Sequence, residues 1–170
     1  MSHPTSRFRY CSRTKPLTDP LARYLSVDSS NGEGTFTTVP PNRLIMYTVT
    51  VVRPFIAQHF LTVPDPGPEG VLHSHHFRVE LELAGEELNE YDYLVDIDDV
   101  DAARDDVESR YADETLNDFP EFEGYNPSVE RFARVVHERV SDYVSADNVD
   151  RLTVTMWEDD VANAAYTAAP

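Results

Sequence analysis

The sequence predicts an α+β domain: a four-stranded antiparallel sheet with two helices packed on one face, in the order ββααββ. Three observations carry this. Two β-prone runs stand close together, from Met46 towards His59 and from His73 to about Ala84, and the second alternates apolar and acidic residues with a period of two. Two helical stretches then follow with no long strand between them. An alternating run, Arg151–Trp157, and a closing segment near Tyr166 come last. Hairpins at both ends leave the helices together on one side of the sheet.

Taken in order, Met46-Tyr47-Thr48-Val49-Thr50-Val51-Val52 opens the domain with β-branched and aromatic residues. Pro54 suggests a bend or bulge in that strand. Val63-Pro64-Asp65-Pro66-Gly67-Pro68 is a loop. The histidine-bearing strand follows, then a turn at Gly85-Glu86-Glu87. Tyr93-Leu94-Val95-Asp96-Ile97 is short and ends before Asp98, which marks a helix N-terminus, and the first helix runs to about Tyr111. Asn117 to Pro127 reads as irregular. Ser128 caps a second helix whose apolar stripe is Val129, Phe132, Val136, Val140, Tyr143 and Val144. His137 sits beside that stripe and reads as a solvent-edge or core histidine rather than a ligand.

Composition narrows the function. The chain carries 31 acidic residues against 14 basic ones, and Lys15 is the single lysine. An acidic excess of this kind points to a cytoplasm of molar salt, that is, a halophilic protein whose self-repulsion is screened. It excludes nucleic acid as a partner, because phosphate neutralisation needs clustered Lys and Arg. Cys11 is the only cysteine, which excludes an intrachain disulfide or a thiolate cluster. No apolar run approaches a membrane span, so a soluble, cytoplasmic protein is expected. Residues 1–45 differ from the rest, with a net charge of +3 against −20 for residues 46–170. They read as a basic disordered extension or, preferably, as a mis-called start upstream of Met46, with one domain spanning 46–170.

The chemistry gathers around Leu72-His73-Ser74-His75-His76. On a strand, His73 and His75 share a face and His76 takes the other. Two imidazoles at i and i+2 can converge on one metal ion, and His59, at the end of the preceding strand, is the best third ligand. Three neutral imidazoles with one open position make up a usual catalytic zinc site.

With these pieces in place, the stretch from 46 to 166 resembles the 6-pyruvoyl-tetrahydropterin synthase and 6-carboxytetrahydropterin synthase family. Phe55-Ile56-Ala57-Gln58-His59 is similar to its F-x-A-A-H, and Leu72-His73-Ser74-His75 to its L-H-G-H. Tyr93-Leu94-Val95-Asp96, Leu116-Asn117, Pro127-Ser128-Val129-Glu130 and the pair Glu158 and Tyr166 resemble further family elements. The resemblance implies the tunnelling fold, a homohexamer built as a dimer of trimers, and Zn2+ held by His59, His73 and His75. It also implies that Glu158 receives the N–H donors of a pterin ring, with Ser128 as a second substrate-binding residue. Where the family carries a catalytic thiol this chain has Glu69, and where it carries an Asp-His pair this chain has Ala112 and Asp113. Glu69 and Asp113 are therefore the catalytic candidates. A glutamate at this position implies a lyase that cleaves the side chain of a dihydroneopterin species. The altered proton-transfer set leaves open a non-catalytic pterin- or metal-binding paralogue.

Overall fold

Alternation decides which residues the sheet buries. The computed structural model describes residues 46–144 and 146–170, so the expectations for residues 1–45 lie outside the described residues. Four strands, β1 (Tyr47–His59), β2 (His73–Gly85), β3 (Arg151–Trp157) and β4 (Asn163–Ala168), form one antiparallel sheet in the order β1-β2-β3-β4. Helices α1 (Ile97–Tyr111) and α2 (Val129–Ser141) come between the two hairpins. This is the expected α+β architecture. Among the described residues, no helix is long and apolar enough to cross a membrane.

One set of alternate residues lies against the helices. Phe55 and Ala57 on β1, Phe77, Val79, Leu81 and Leu83 on β2, and Leu152, Val154 and Met156 on β3 are all buried. They meet Val100, Ala103 and Val107 of α1 and Phe132, Val136 and Val140 of α2. Phe132 stands edge-on to Phe55, Phe77, Phe122 and Tyr111, with ring centroids 5.1–6.1 Å apart. Each such ring, fully buried, is worth about 1.5–3 kcal/mol of apolar transfer, so this cluster anchors the sheet to α2.

Three details differ from the sequence reading. No bulge occurs at Pro54: the β1–β2 register runs unbroken from Tyr47 opposite Gly85 to His59 opposite His73, and Pro54 faces Arg78. β1 is an edge strand, where a residue without an N–H is tolerated. The α1 cap is Asp96, whose carboxylate accepts the Asp98 N–H at 3.0 Å, and not Asp98 itself. α2 ends at Ser141, so Tyr143 and Val144 lie beyond the helix, and Tyr143 is exposed rather than part of the buried stripe. His137 is a core histidine, one of the two expected readings, edge-on to Tyr166.

The segment between the helices, read as irregular, contains two short 3-10 turns, Leu116–Asp118 and Pro120–Phe122. It is tied down by Glu121, whose Oε1 accepts Arg110 Nε–H at 2.6 Å and Tyr111 O–H at 3.0 Å. The guanidinium holds the Glu121 carboxyl below its ordinary range, and burial pushes the Tyr111 phenol up to about 12. At the other end of the sheet, a Cβ on Gly85 would fall 2.0 Å from the Asn148 carbonyl oxygen. Gly85→Ala is therefore expected to destabilise the domain by about 1–3 kcal/mol, read as a lowered thermal midpoint; an unchanged midpoint would show that the 146–150 turn yields freely.

Candidate metal centre

The β1–β2 register brings the histidines together. His59 is the last residue of β1 and faces His73, the first of β2, directly across the ladder. His75, two residues along, stays on the same helix-facing side, while His76 is exposed on the opposite one. The three ring centroids lie 4.7–5.0 Å apart, and each pair is close to edge-on. Together with Glu69, one ligand-capable atom from each residue falls within 4.8 Å of all the others.

The donor set is prepared for a cation. His59 Nδ1 is 2.9 Å from the Pro127 carbonyl and His73 Nδ1 is 2.6 Å from that of Val71, so each Nδ1 carries the proton and donates it. That leaves the Nε2 lone pairs facing inward, and backbone carbonyls behind metal-binding histidines commonly fix them this way. The Nε2 atoms of His59, His73 and His75 are all buried without a hydrogen-bond partner. Burial lowers the His59 pKa; the Pro127 bond and Glu158 pull the other way, and the neighbouring imidazoles lower it further. A neutral, desolvated imidazole is the form that binds a metal. These residues fit a divalent cation.

Two carboxylates flank the imidazoles. Glu69 Oε2 is 2.9 Å from His73 Nε2, and Glu158 Oε1 is 3.3 Å from His59 Nε2 and 3.4 Å from His75 Nε2. Glu69 lies in a short 3-10 turn, Gly67–Gly70, and its carbonyl accepts the Leu61 N–H at 2.8 Å. This bond fastens the turn to the chain leaving β1. At Gly70 a Cβ would meet the Pro66 ring at 2.5 Å, so a larger residue there would force the turn or the proline ring to shift.

A pocket of about 330 Å³ opens beside the cluster, lined by His59, Leu61, Glu69, Ser128, Val129, Glu130, Glu158, Ala162, Asn163 and Ala164. None of these is Lys or Arg. Ser128 reaches its wall, although its hydroxyl also caps α2 by accepting the Arg131 N–H at 3.3 Å. Asp113 is not brought there: it is exposed in the turn after α1, at φ 63°, with its N–H on the Ile56 carbonyl at 2.7 Å. A larger surface cavity of about 920 Å³ lies at the other end of the sheet, among Met46, Glu86, Asp147, Asp150 and Arg151, and brings no imidazole or thiol together.

Several positioning contacts have no signal in the sequence. The Pro127 and Val71 carbonyls orient imidazoles, and a backbone carbonyl looks the same on any residue. Asn117 clamps the residue after His59, accepting the Phe60 N–H and donating to the Phe60 carbonyl, both at 3.0 Å. Its place in the Leu116-Asn117 motif is the one clue the sequence offers.

Residues 48–169 match the family described as 6-pyruvoyl tetrahydropterin synthase. The chain belongs to that family. Solved structures agree in fold: 6-pyruvoyl tetrahydropterin synthase from Caenorhabditis elegans superposes with a TM-score of 0.64 at 19% identity, over 75% of this chain and 99% of that one. The Plasmodium vivax enzyme gives 0.61 at 16%, and the Plasmodium falciparum enzyme 0.60 at 14%, each over 74% of this chain and 99% of its own. Two P. vivax structures carry alanine or cysteine in place of a glutamate described as a catalytic residue. No protein of curated function matches the sequence. Members of the 6-pyruvoyl tetrahydropterin synthase family are pterin-processing lyases, and the helix-face cluster of this member holds a candidate metal site.

Proposed function

We propose that this chain is a zinc-dependent, pterin-transforming lyase that cleaves the side chain of a dihydroneopterin species. The observation that carries the reading is the convergence of three buried, unpartnered Nε2 atoms, two of them in rings whose other nitrogen is held by a carbonyl. His59, His73 and His75 would hold zinc. When bound, it supplies Lewis acidity towards a side-chain hydroxyl of the substrate.

The chain's own residues do the rest. Glu69 stands beside His73, close enough to take the hydroxyl proton of a substrate seated at the cluster, and a positioned carboxylate can serve as that base. In a retro-aldol cleavage the proton leaves the second side-chain hydroxyl and its oxygen becomes an aldehyde. The carbon–carbon bond next to it breaks, and its electron pair moves into the conjugated C=N of the ring. A proton then returns to the carbon left on the pterin. The products are 6-hydroxymethyl-dihydropterin and a two-carbon aldehyde. Glu158 would accept paired N–H bonds from the pterin edge, with Ser128 on the adjoining wall. Asp113, exposed away from the pocket of its own chain, would act there only from another subunit. The catalytic glutamate named for the P. vivax enzyme supports a carboxylate in the role of Glu69.

The charge of the pocket bears on the substrate. Glu69, Glu130 and Glu158 line it with no Lys or Arg among the lining residues, and a triphosphate there would meet like charge. Unphosphorylated dihydroneopterin suits it better. The test is to give the metal-loaded protein dihydroneopterin and its triphosphate separately, in molar salt, and identify products by mass. Formation of 6-hydroxymethyl-dihydropterin from the first, stopped by chelator, is expected. Turnover of neither would favour a non-catalytic pterin- or metal-binding module.

The same reading includes a cytoplasmic homohexamer made of two trimers. Among the described residues β1 and β4 have no strand paired to their outer edges, and Val52 and Ile56 on β1 are 43% and 48% exposed. Pairing such edges between subunits removes an aggregation hazard. Light scattering in molar salt is expected to give six times the chain mass; a monomer would contradict it.

A further inference from the structure

Glu158 faces the imidazoles in a way that a pterin-holding role does not explain. Its Oε1 lies 3.3 Å from His59 Nε2 and 3.4 Å from His75 Nε2, yet neither nitrogen forms a hydrogen bond. His59 spends its proton on the Pro127 carbonyl, so its Nε2 presents a lone pair to the carboxylate oxygen. Two such electron-rich atoms repel unless a cation lies between them. Around a tetrahedral zinc with bonds of about 2.0–2.1 Å, neighbouring ligand atoms stand about 3.3–3.4 Å apart. Glu158 Oε1 holds that spacing to two of the three imidazoles, His59 and His75, while the carboxylate within reach of the third, His73, is Glu69.

We propose that Glu158 is shared between the metal and the pterin: its carboxylate closes the metal's fourth position in the substrate-free protein and leaves it to receive the ring's N–H groups. The inference rests on the pterin reading above and adds to it an order of events. The metal gains an open position only once a pterin is seated, so water and stray anions are kept off it until then. The backbone allows the exchange. Glu158 directly follows β3, its N–H reaches the Ala162 carbonyl at 3.3 Å, and its side chain, 28% exposed, has room to rotate. Glu69 approaches from the His73 side and need not move.

The test uses the full chain, stripped by chelator and titrated with Co2+, whose visible spectrum reports coordination. Wild type is compared with Glu158→Gln and with Glu158→Asp, which keeps the charge but draws the carboxylate back by one methylene. The organic probe is unsubstituted pterin, which has the ring edge but no side-chain hydroxyls to bind metal, and its own fluorescence reports binding. Both variants are expected to bind Co2+ about tenfold or more weakly and to share a spectrum distinct from wild type. Pterin is expected to move the wild-type spectrum towards that of the variants and to leave theirs in place. Equal Co2+ affinity and equal spectra in all three proteins would overturn the proposal, as would wild-type behaviour from Glu158→Asp, which would reduce Glu158 to a field effect. Pterin binding without a spectral change in wild type would overturn the sharing alone. No pterin binding by wild type, with the Co2+ difference intact, would overturn the pterin reading and the sharing with it.

Discussion

Alanine at His59 is expected to weaken zinc binding by more than about 100-fold, because it removes a direct ligand where even loss of a supporting contact costs 10–100-fold. His59 is 1% exposed, and its Nδ1–H is already committed to Pro127, so no other group on β1 can replace its Nε2. The consequence reaches stability. Zinc at about 1,000 times its Kd stabilises a folded site by about 4 kcal/mol, and that increment should be present in wild type and missing from the variant. Thermal unfolding with and without zinc checks this. His73→Ala, at a half-buried position less costly to the core, is the companion that separates lost metal from lost packing. Equal zinc-dependent stabilisation in all three proteins would remove these residues from the metal site.

Glu69→Gln carries the second large effect. If Glu69 takes the substrate proton, turnover should fall by about 10²–10⁴-fold, while zinc and pterin binding change far less, since the amide keeps the shape and loses the basicity. The carboxylate lies 2.9 Å from His73 Nε2, and its turn is fastened through Leu61, so the amide has the same support. Single-turnover rates together with metal content decide the matter. Full activity in the variant would make Glu69 one more acid on an acidic surface.

What the sequence made legible follows from what periodicity can encode. The two-residue period of β2 puts His73 and His75 on one side, with apolar residues following on that same side, and the structure has this arrangement. The pairing of His59 with His73 was harder, because thirteen residues of proline-rich loop and 3-10 turn separate them and do not by themselves fix a register. The misplaced α1 cap has a similar cause. Asp96, Asp98 and Asp99 can all cap by type, and only the extended backbone of Asp96, at φ −72° and ψ 123°, decides among them. Pro54 suggested a bulge because a proline interrupts an interior strand; that β1 is an edge depends on the whole sheet order. The contact of Glu158 with two imidazoles needed the β2–β3 pairing, which sets Trp157 opposite Arg78 and carries the next residue towards His75. The carbonyls behind His59 and His73 belong to the chain path alone.

The metal reading meets its most direct test in an anomalous-scattering map at the zinc edge, from a crystal grown without chelator. One peak is expected between the three imidazoles, about 2.0–2.1 Å from the Nε2 atoms of His59, His73 and His75. A map with no peak there, or with zinc bound only elsewhere on the chain, would contradict the account.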